Sequence, residues 1–170
     1  MVAMNCHVDR LLKVGFRWAT PRDLPGIYEV EREGSELPWE ESRFLAALNR
    51  PEARIMVAEY GGRVAGFLLY EVLDDGLYIH RLAVRSFFRR RGVASQLFAR
   101  VYFLLSTGVQ RCVRLDVRES NLSAQLFFRS LGFRAVRIEK EFFSDTGEDA
   151  YRMQYRRGKS GQWSVASVQK

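Results

Sequence analysis

Apolar residues recur along the chain with two different periods, and these periods separate strands from helices. Alternating or fully apolar runs predict strands, whereas apolar residues spaced three or four apart predict amphipathic helices. The predicted strands are Phe16–Ala19, Ala53–Tyr60, Arg63–Leu73, Tyr78–Val84, Val113–Val117, Phe133–Phe143 and Ala150–Arg156. One helix begins at Thr20-Pro21, a favourable start, and the others are Glu40–Leu48, Gly92–Ser106 and Ser120–Leu131.

The order of these elements predicts one mixed sheet. Gly61-Gly62 joins two strand-like runs, which is typical of a hairpin turn. The helix Gly92–Ser106 connects the strands Tyr78–Val84 and Val113–Val117, so these two strands should be parallel. We therefore predict an α+β (mixed α/β) fold with a single twisted, mostly antiparallel sheet of about seven strands.

Length, composition and charge favour one globular domain with a basic surface. The chain has 170 residues, 47% hydrophobic and 28% charged, which suffices for a core and is unlike a disordered segment. We assign residues 16–156 to this domain, residues 1–15 to a loose N-terminal leader and residues 157–170 to a mobile basic tail. The net charge of +7 favours polyanions, such as a nucleotide cofactor, the ribosome or nucleic acid, without choosing among them.

The cysteines and the hydrophobic runs of the chain indicate in which cellular compartment the protein is expected. Cys6 and Cys112 lie far apart and lack metal-ligand spacing, so we predict neither a disulfide nor a zinc site. No apolar run reaches the ~18–20 residues that span a bilayer, and the first residues lack the apolar core of a signal peptide. These features predict a cytoplasmic protein that binds no metal and no membrane.

An arginine-rich turn is the most informative stretch of the sequence. It lies between the strand Tyr78–Val84 and a helix, and it reads Arg89-Arg-Arg-Gly92-Val-Ala94. Free N–H groups at a helix start, together with arginines and a small residue at Gly92, suit an anion such as phosphate. The turn matches neither GxxxxGK[ST] nor GxGxxG, which excludes the two common phosphate loops. A solvated basic turn without a ligand is the alternative interpretation.

Two motifs resemble those of the GCN5-related N-acetyltransferases (GNAT family). Arg89-x-x-Gly92-x-Ala94, preceded by Leu82-x-Val84, is similar to the first signature of that family. The second signature is similar to the stretch from Asn121 through Phe127-Phe128 to Phe133. The resemblance covers roughly residues 16–156. It implies a GNAT-type fold with helices on both faces of the sheet and acetyl-coenzyme A (acetyl-CoA) as co-substrate.

The resemblance also implies which residues hold acetyl-CoA. Its pantetheine arm would lie along one strand and its pyrophosphate on the turn. Asn121 and Phe128 would complete the site, and Phe128 stands where the family usually has the tyrosine that protonates the departing thiolate. The implied cofactor-binding residues are Leu82, Ala83, Val84, Arg89, Arg90, Arg91, Gly92, Val93, Ala94, Ser95, Asn121 and Phe128.

Within the family, the sequence is most similar to the ribosomal-protein N-terminal alanine acetyltransferases and their eukaryotic relatives. Asp116 stands where those enzymes have a Glu or His general base, and Tyr78 where one eukaryotic member has a catalytic tyrosine. An ion pair of Asp116 with Arg114 or Arg118, and a packing role for Tyr78, are the alternatives. His80 is a further candidate base. The resemblance implies an acceptor-binding set of Leu37, Trp39, His80, Phe142 and Phe143.

We therefore predict an acetyl-CoA-dependent N-acetyltransferase that modifies a primary amine, with the N-terminal α-amine of a ribosomal or other protein as first choice. Direct attack on the thioester needs no enzyme nucleophile. A small amine or a lysine side chain is the alternative acceptor. A weakly active or non-catalytic acetyl-CoA-binding module, or a basic nucleic-acid-binding domain, is the alternative class. Either a monomer or a homodimer is compatible with the sequence.

Overall fold

The computed structural model describes residues 11–35, 37–107 and 112–156, which contain seven strands and four α-helices. The strands are β1 (Gly15–Trp18), β2 (Ala53–Tyr60), β3 (Arg63–Leu73), β4 (Gly76–Val84), β5 (Cys112–Arg118), β6 (Arg134–Phe143) and β7 (Glu148–Arg156). The helices are α1 (Leu24–Gly34), α2 (Glu41–Leu48), α3 (Val93–Thr107) and α4 (Leu122–Ser130). Across these described ranges, no helix is both long and apolar enough to cross a membrane.

The strands form one sheet in the order β1-β2-β3-β4-β5-β7-β6. Its neighbours are antiparallel except β4 and β5, which are parallel as the connecting helix predicted. The mixed, mostly antiparallel seven-stranded fold is thereby confirmed. β4 and β5 share only a short ladder: Leu77 pairs with Val113, Tyr78 with Arg114 and Ile79 with Leu115. Beyond this ladder the two strands continue without pairing to each other.

Each face of the sheet carries its own hydrophobic core, because the strands bury apolar side chains on both sides. One core packs α1 and α2 against the sheet and contains Phe44 and Phe67, whose ring centroids lie 5.4 Å apart. The other packs α3 and α4 against the opposite face and contains Phe98 and Phe133. Fully burying one such ring contributes roughly 1.5–3 kcal/mol. Helices on both faces were expected and are confirmed.

A β-bulge in β4 lies where β4 and β5 part. Leu69 of β3 pairs with Arg81, but the next residue of β3 pairs with Ile79, so His80 is the extra residue. The bulge reverses the side-chain alternation of β4. Tyr78, His80 and Arg81 therefore all face the α1–α2 side, while the residues that follow Arg81 resume alternation and Leu82 packs against the α3–α4 core.

The predicted leader and tail lie mostly outside the described residues, which omit 1–10 and 157–170. The end of the leader is attached to the domain. The N–H of Leu12 donates to the carbonyl of Arg91 at 3.1 Å, and the side chain of Gln96 donates to the carbonyl of Leu12 at 2.8 Å. β1 then begins at Gly15, one residue before the predicted domain boundary.

Candidate active site

The arginine-rich turn presents a run of free backbone donors. Among the described residues, no acceptor bonds the N–H groups of residues 90–95, and the first helical bond runs from Gln96 N–H to the Gly92 carbonyl at 3.0 Å. Arg90 and Gly92 have φ values of 59° and 78°, which turn successive N–H groups toward one side. The turn therefore has the local structure of an anion site.

Of the three arginines of the turn, Arg89 holds the loop. Its Nε donates to the carbonyl of Val84 at 3.0 Å and its Nη2 to the carbonyl of Glu33 at 2.9 Å. The Glu33 carboxylate accepts from the N–H of Ser86, and this bond lowers the pKa of Glu33. Arg90 and Arg91 have no ion-pair partner among the described residues. Arg91 lies over the Phe87 ring at 4.7 Å.

The remaining predicted cofactor residues lie on β4 and at or in α4, the helix that follows β5. Leu82 and Val84 lie on the part of β4 that has no pairing with β5. Asn121 caps α4, because its side-chain oxygen accepts the N–H of Ala124 at 3.0 Å. Phe128 is buried, with its ring centroid 5.4 Å from that of Phe133.

A hydrogen-bonded row of side chains crosses the sheet at the point where β4 and β5 diverge. The Tyr78 hydroxyl donates to Oδ2 of Asp116 at 2.5 Å. Arg152 donates from Nε and Nη2 to both oxygens of Asp116, each at 3.0 Å, and its Nη1 lies 2.8 Å from Oε1 of Glu139. We call Tyr78, Asp116, Arg152 and Glu139 the cross-strand row, since it joins β4, β5, β7 and β6.

The cross-strand row corrects the expected partners of Asp116. Its side chain is only 2% exposed, and its ion pair is with Arg152 rather than with Arg114 or Arg118. Arg114 instead pairs with Asp75. Burial, with the bond to Asp116, raises the pKa of Tyr78, and the same carboxylate raises the pKa of Arg152.

His80 belongs to a second polar group on the same face. Its Nε2 lies 2.8 Å from Oε2 of Glu71, whose other oxygen accepts from Arg50 at 2.5 Å. The hydrogen bond with His80 lowers the pKa of Glu71. The His80 ring lies between two aromatic rings, with centroids 4.8 Å from Tyr78 and 6.2 Å from Trp39.

The segment between α1 and α2 brings Trp39 over this face. The backbone N–H of Trp39 donates to Oε1 of Glu31 at 3.2 Å, and Glu31 is 2% exposed. Arg43 and Arg81 lie over the Trp39 ring at 4.1 and 4.9 Å. Leu37, in the same segment, is largely exposed.

The β6–β7 hairpin carries the remaining predicted acceptor residues. Phe142 is exposed, and Phe143 lies 3.9 Å beneath the guanidinium of Arg118. Arg118 also donates to both oxygens of Asp145, at 2.9 and 2.7 Å, and so ties the hairpin to the end of β5. Burial lowers the pKa of Arg81, which lies over the Trp39 ring.

Several side chains of the site escaped sequence analysis, among them Glu31, Glu71, Arg81, Glu139 and Arg152. Glu31 shares the buried face of α1 with Ile27 and Val30, and a carboxylate in such an apolar stripe is itself a signal of a buried partner. Glu71 and Arg152 gave no local signal, because their partners come from other strands. In the described part of the chain, no group of three or more His, Cys, Asp or Glu side chains could hold a metal ion.

Comparison with known proteins agrees with this geometry. Residues 22–133 match the family described as the acetyltransferase (GNAT) family. The chain belongs to the GNAT acetyltransferase family. As for other members of this family, the co-substrate of the acetyltransferase is acetyl-CoA.

Named relatives lie within the same family. A Bacillus subtilis (strain 168) protein, provisionally named a ribosomal protein bS18-alanine N-acetyltransferase, is 30% identical over 75% of this chain and 85% of its own length. The ribosomal protein bS18-alanine N-acetyltransferase of Escherichia coli (strain K12) is 27% identical over 75% and 87% of the two chains. The crystal structure of the Escherichia coli enzyme superposes with a TM-score of 0.77 at 24% identity, covering 89% of this acetyltransferase and 100% of that chain, which shows the shared fold.

Proposed function

We propose that this acetyltransferase modifies the N-terminal α-amine of proteins, with ribosomal proteins as the first class to test. The observation that supports this most directly is the gap between β4 and β5, which opens beside a turn of free N–H donors. The relatives named for alanine N-acetylation of ribosomal protein bS18 supply the substrate class. Such acceptors would be met in the cytoplasm.

Acetyl-CoA fits the residues on both sides of this gap. The N–H groups of residues 90–95 would bind its pyrophosphate, with Arg90 and Arg91 adding charge. The pantetheine arm would extend along Leu82–Val84, on the unpaired edge of β4. Asn121 and Phe128 would border it on the α4 side. The acetyl group would then be held near the end of the β4–β5 ladder, the apex of the gap, where the cross-strand row and His80 are found.

The acceptor peptide would approach from the α1–α2 face. In this proposal Leu37, Trp39 and His80 would line one side of the approach, with Trp39 close to His80, and Phe142 and Phe143 of the hairpin would line the other. These side chains are mainly aromatic or apolar, which suits an extended peptide with a small first residue.

The chemistry requires a neutral amine and a proton acceptor. An α-amino group has a pKa of about 8, so part of it is neutral near pH 7. The nitrogen attacks the thioester carbon, and coenzyme A leaves as a thiolate, so the phenylalanine at position 128 does not prevent the reaction. Asp116, assisted by Tyr78, is one predicted general base, and His80 is the other candidate.

A labelled-acetyl assay tests the proposed function. Peptides with a free N-terminus and blocked lysines, peptides with a blocked N-terminus and free lysines, and polyamines are incubated with labelled acetyl-CoA. Mass spectrometry should find the label on the α-amine, with small first residues preferred. Label on lysine alone would show that the acceptor assignment is wrong. Heat on binding acetyl-CoA without any transfer would instead favour a non-catalytic module.

A further inference from the structure

We infer that His80, oriented by Glu71, accepts the proton that the acceptor amine loses. This inference rests on the proposed acetyl transfer and identifies the proton acceptor for it. His80 is the bulge residue of β4, the first residue beyond the ladder with β5, so it lies at the apex of the gap. Its ring is in contact with Tyr78 and close to Trp39, the proposed acceptor contact.

Glu71 determines which ring nitrogen of His80 is basic. An ionised carboxylate only accepts hydrogen bonds, so the 2.8 Å contact requires a proton on Nε2 of His80. In the neutral ring the lone pair is then on Nδ1, which has no hydrogen-bond partner among the described residues. Arg50, bonded to the other oxygen of Glu71, keeps that carboxylate ionised and in place.

Asp116 is less free to accept a proton. Both of its oxygens accept from Arg152, one also accepts from Tyr78, and the side chain is 2% exposed. His80 retains 27% of its side-chain exposure. Asp116 therefore acts as a positioning residue that holds Tyr78, which in turn packs against the His80 ring.

The proton balance of the step is simple. As the neutral amine nitrogen forms its bond to the carbonyl carbon, the carbon–sulfur bond breaks and Nδ1 of His80 takes one amine proton. The imidazolium then returns that proton to the departing thiolate, directly or through solvent. The products are the amide and coenzyme A as its thiol.

Several charged side chains surround His80, and they come from different strands and segments of the fold. Glu71 on β3 and Arg50 after α2 act on Nε2 directly. Asp116 and Arg152 reach it through Tyr78, and Arg81 lies beside it over Trp39. Only a neutral imidazole can accept the amine proton, so His80 acts in its uncharged form.

The tautomer is measured first, on the protein without substrate. The chain has only two histidines, so a ¹⁵N-labelled sample gives a simple imidazole spectrum, and His80→Gln assigns it. Neutral His80 should carry its proton on Nε2 in the wild type, and Glu71→Gln should weaken this preference. A proton found mainly on Nδ1 overturns the inference.

The rate of acetyl transfer is then measured against pH. His80→Gln keeps a donor for Glu71 but cannot accept a proton, and it should lower kcat about 100-fold near pH 7 and leave only the acidic limb that the acceptor amine itself contributes. Glu71→Gln should lower kcat about tenfold with the wild-type shape of the profile retained, since it alters only orientation. His7→Gln, the matched control at the other histidine, should change neither.

The outcomes separate this inference from the proposed function. If His80→Gln keeps the wild-type rate and profile while Asp116→Asn is slowed and retains only the acidic limb of the amine, Asp116 is the base and the inference is wrong. If the wild type labels lysine only, the acceptor assignment fails, and the same pH series on a lysine peptide still decides the role of His80. If no amine is labelled, the proposed function fails and the tautomer measurement stands by itself.

Discussion

At the scale of single residues, the buried carboxylate of Asp116 shows how a charge is accommodated at the point where β4 and β5 diverge. A carboxylate removed from water is costly unless it is paired and fully hydrogen-bonded. Arg152 provides two parallel bonds and Tyr78 a third, so the charge is compensated within the sheet. Removing Arg152 should therefore destabilise the fold, because the buried carboxylate of Asp116 would lose its compensating charge.

Replacing Arg152 tests this compensation. Arg152→Gln leaves Asp116 buried without its cation and should lower the free energy of unfolding by about 3 kcal/mol in urea. The double variant with Asp116→Asn should recover much of that loss, because no charge is then left unpaired. Arg156→Gln, at an exposed position of the same strand, should change stability by less than ~0.5 kcal/mol. A single Arg152→Gln variant as stable as the wild type would contradict this account.

At the scale of elements, the start of α1 is tied to the edge of the sheet. Asp23 accepts the N–H and the hydroxyl of Thr20, at 2.7 and 2.9 Å, and two bonds from Arg17 of β1, at 2.8 and 2.7 Å. Arg17 lowers the pKa of Asp23 from 3.8 to about 2. Strand and helix are thus joined by one ionised group.

The bonds between Arg17 and Asp23 predict that the stability of the fold falls at low pH. Because the pKa of Asp23 is depressed in the folded state, its contribution of about 2 kcal/mol is complete above pH ~4 and is lost as the pH falls toward 2. Asp23→Asn should be less stable than the wild type at pH 7, with a difference that shrinks below pH ~4. Urea unfolding at several pH values measures this. Asp74→Asn, at an exposed turn position, is the control, and a difference independent of pH would contradict the linkage.

At the scale of the whole molecule, the sheet consists of two well-paired parts joined by the short ladder between β4 and β5. A ligand in the gap would contact both parts and bind only the folded chain. It should therefore stabilise the entire fold by an amount that grows with the logarithm of the ligand concentration above Kd. At about 100 times Kd this amounts to about 2.7 kcal/mol, or roughly 5–10 °C in Tm for a chain of this size.

Gly92→Ala should abolish that thermal shift. Gly92 has φ of +78°, a conformation that an L side chain rarely adopts, so alanine strains the turn; the added Cβ would also lie 2.4 Å from Cδ2 of the exposed Leu11 side chain, which would have to move. Gly62→Ala is the matched control, because its φ is +75° with nothing within 4 Å and it lies in the β2–β3 hairpin. Thermal unfolding with and without acetyl-CoA should show the full shift for Gly62→Ala and none for Gly92→Ala. Equal shifts would show that the turn does not bind acetyl-CoA.

The local pattern of residues was enough to predict the secondary-structure elements and the arginine-rich turn. The hairpin at Gly61-Gly62 and the parallel pair across α3 followed from residues close together in sequence, and both are present. The arginine-rich turn was likewise found from its own residues, since a strand, a glycine and a helix start are local features. The sequence by itself thus determined the order of elements and the position of the proposed anion site.

Tertiary structure decided which side chains meet at the apex. The bulge at His80 reverses the faces of the residues after it, and no local pattern of apolar residues marks it. Arg152 reaches Asp116 because β7 pairs with β5, and Glu71 reaches His80 because β3 pairs with β4. Strand register fixes these partners, and register depends on the packing of the whole sheet rather than on any single segment.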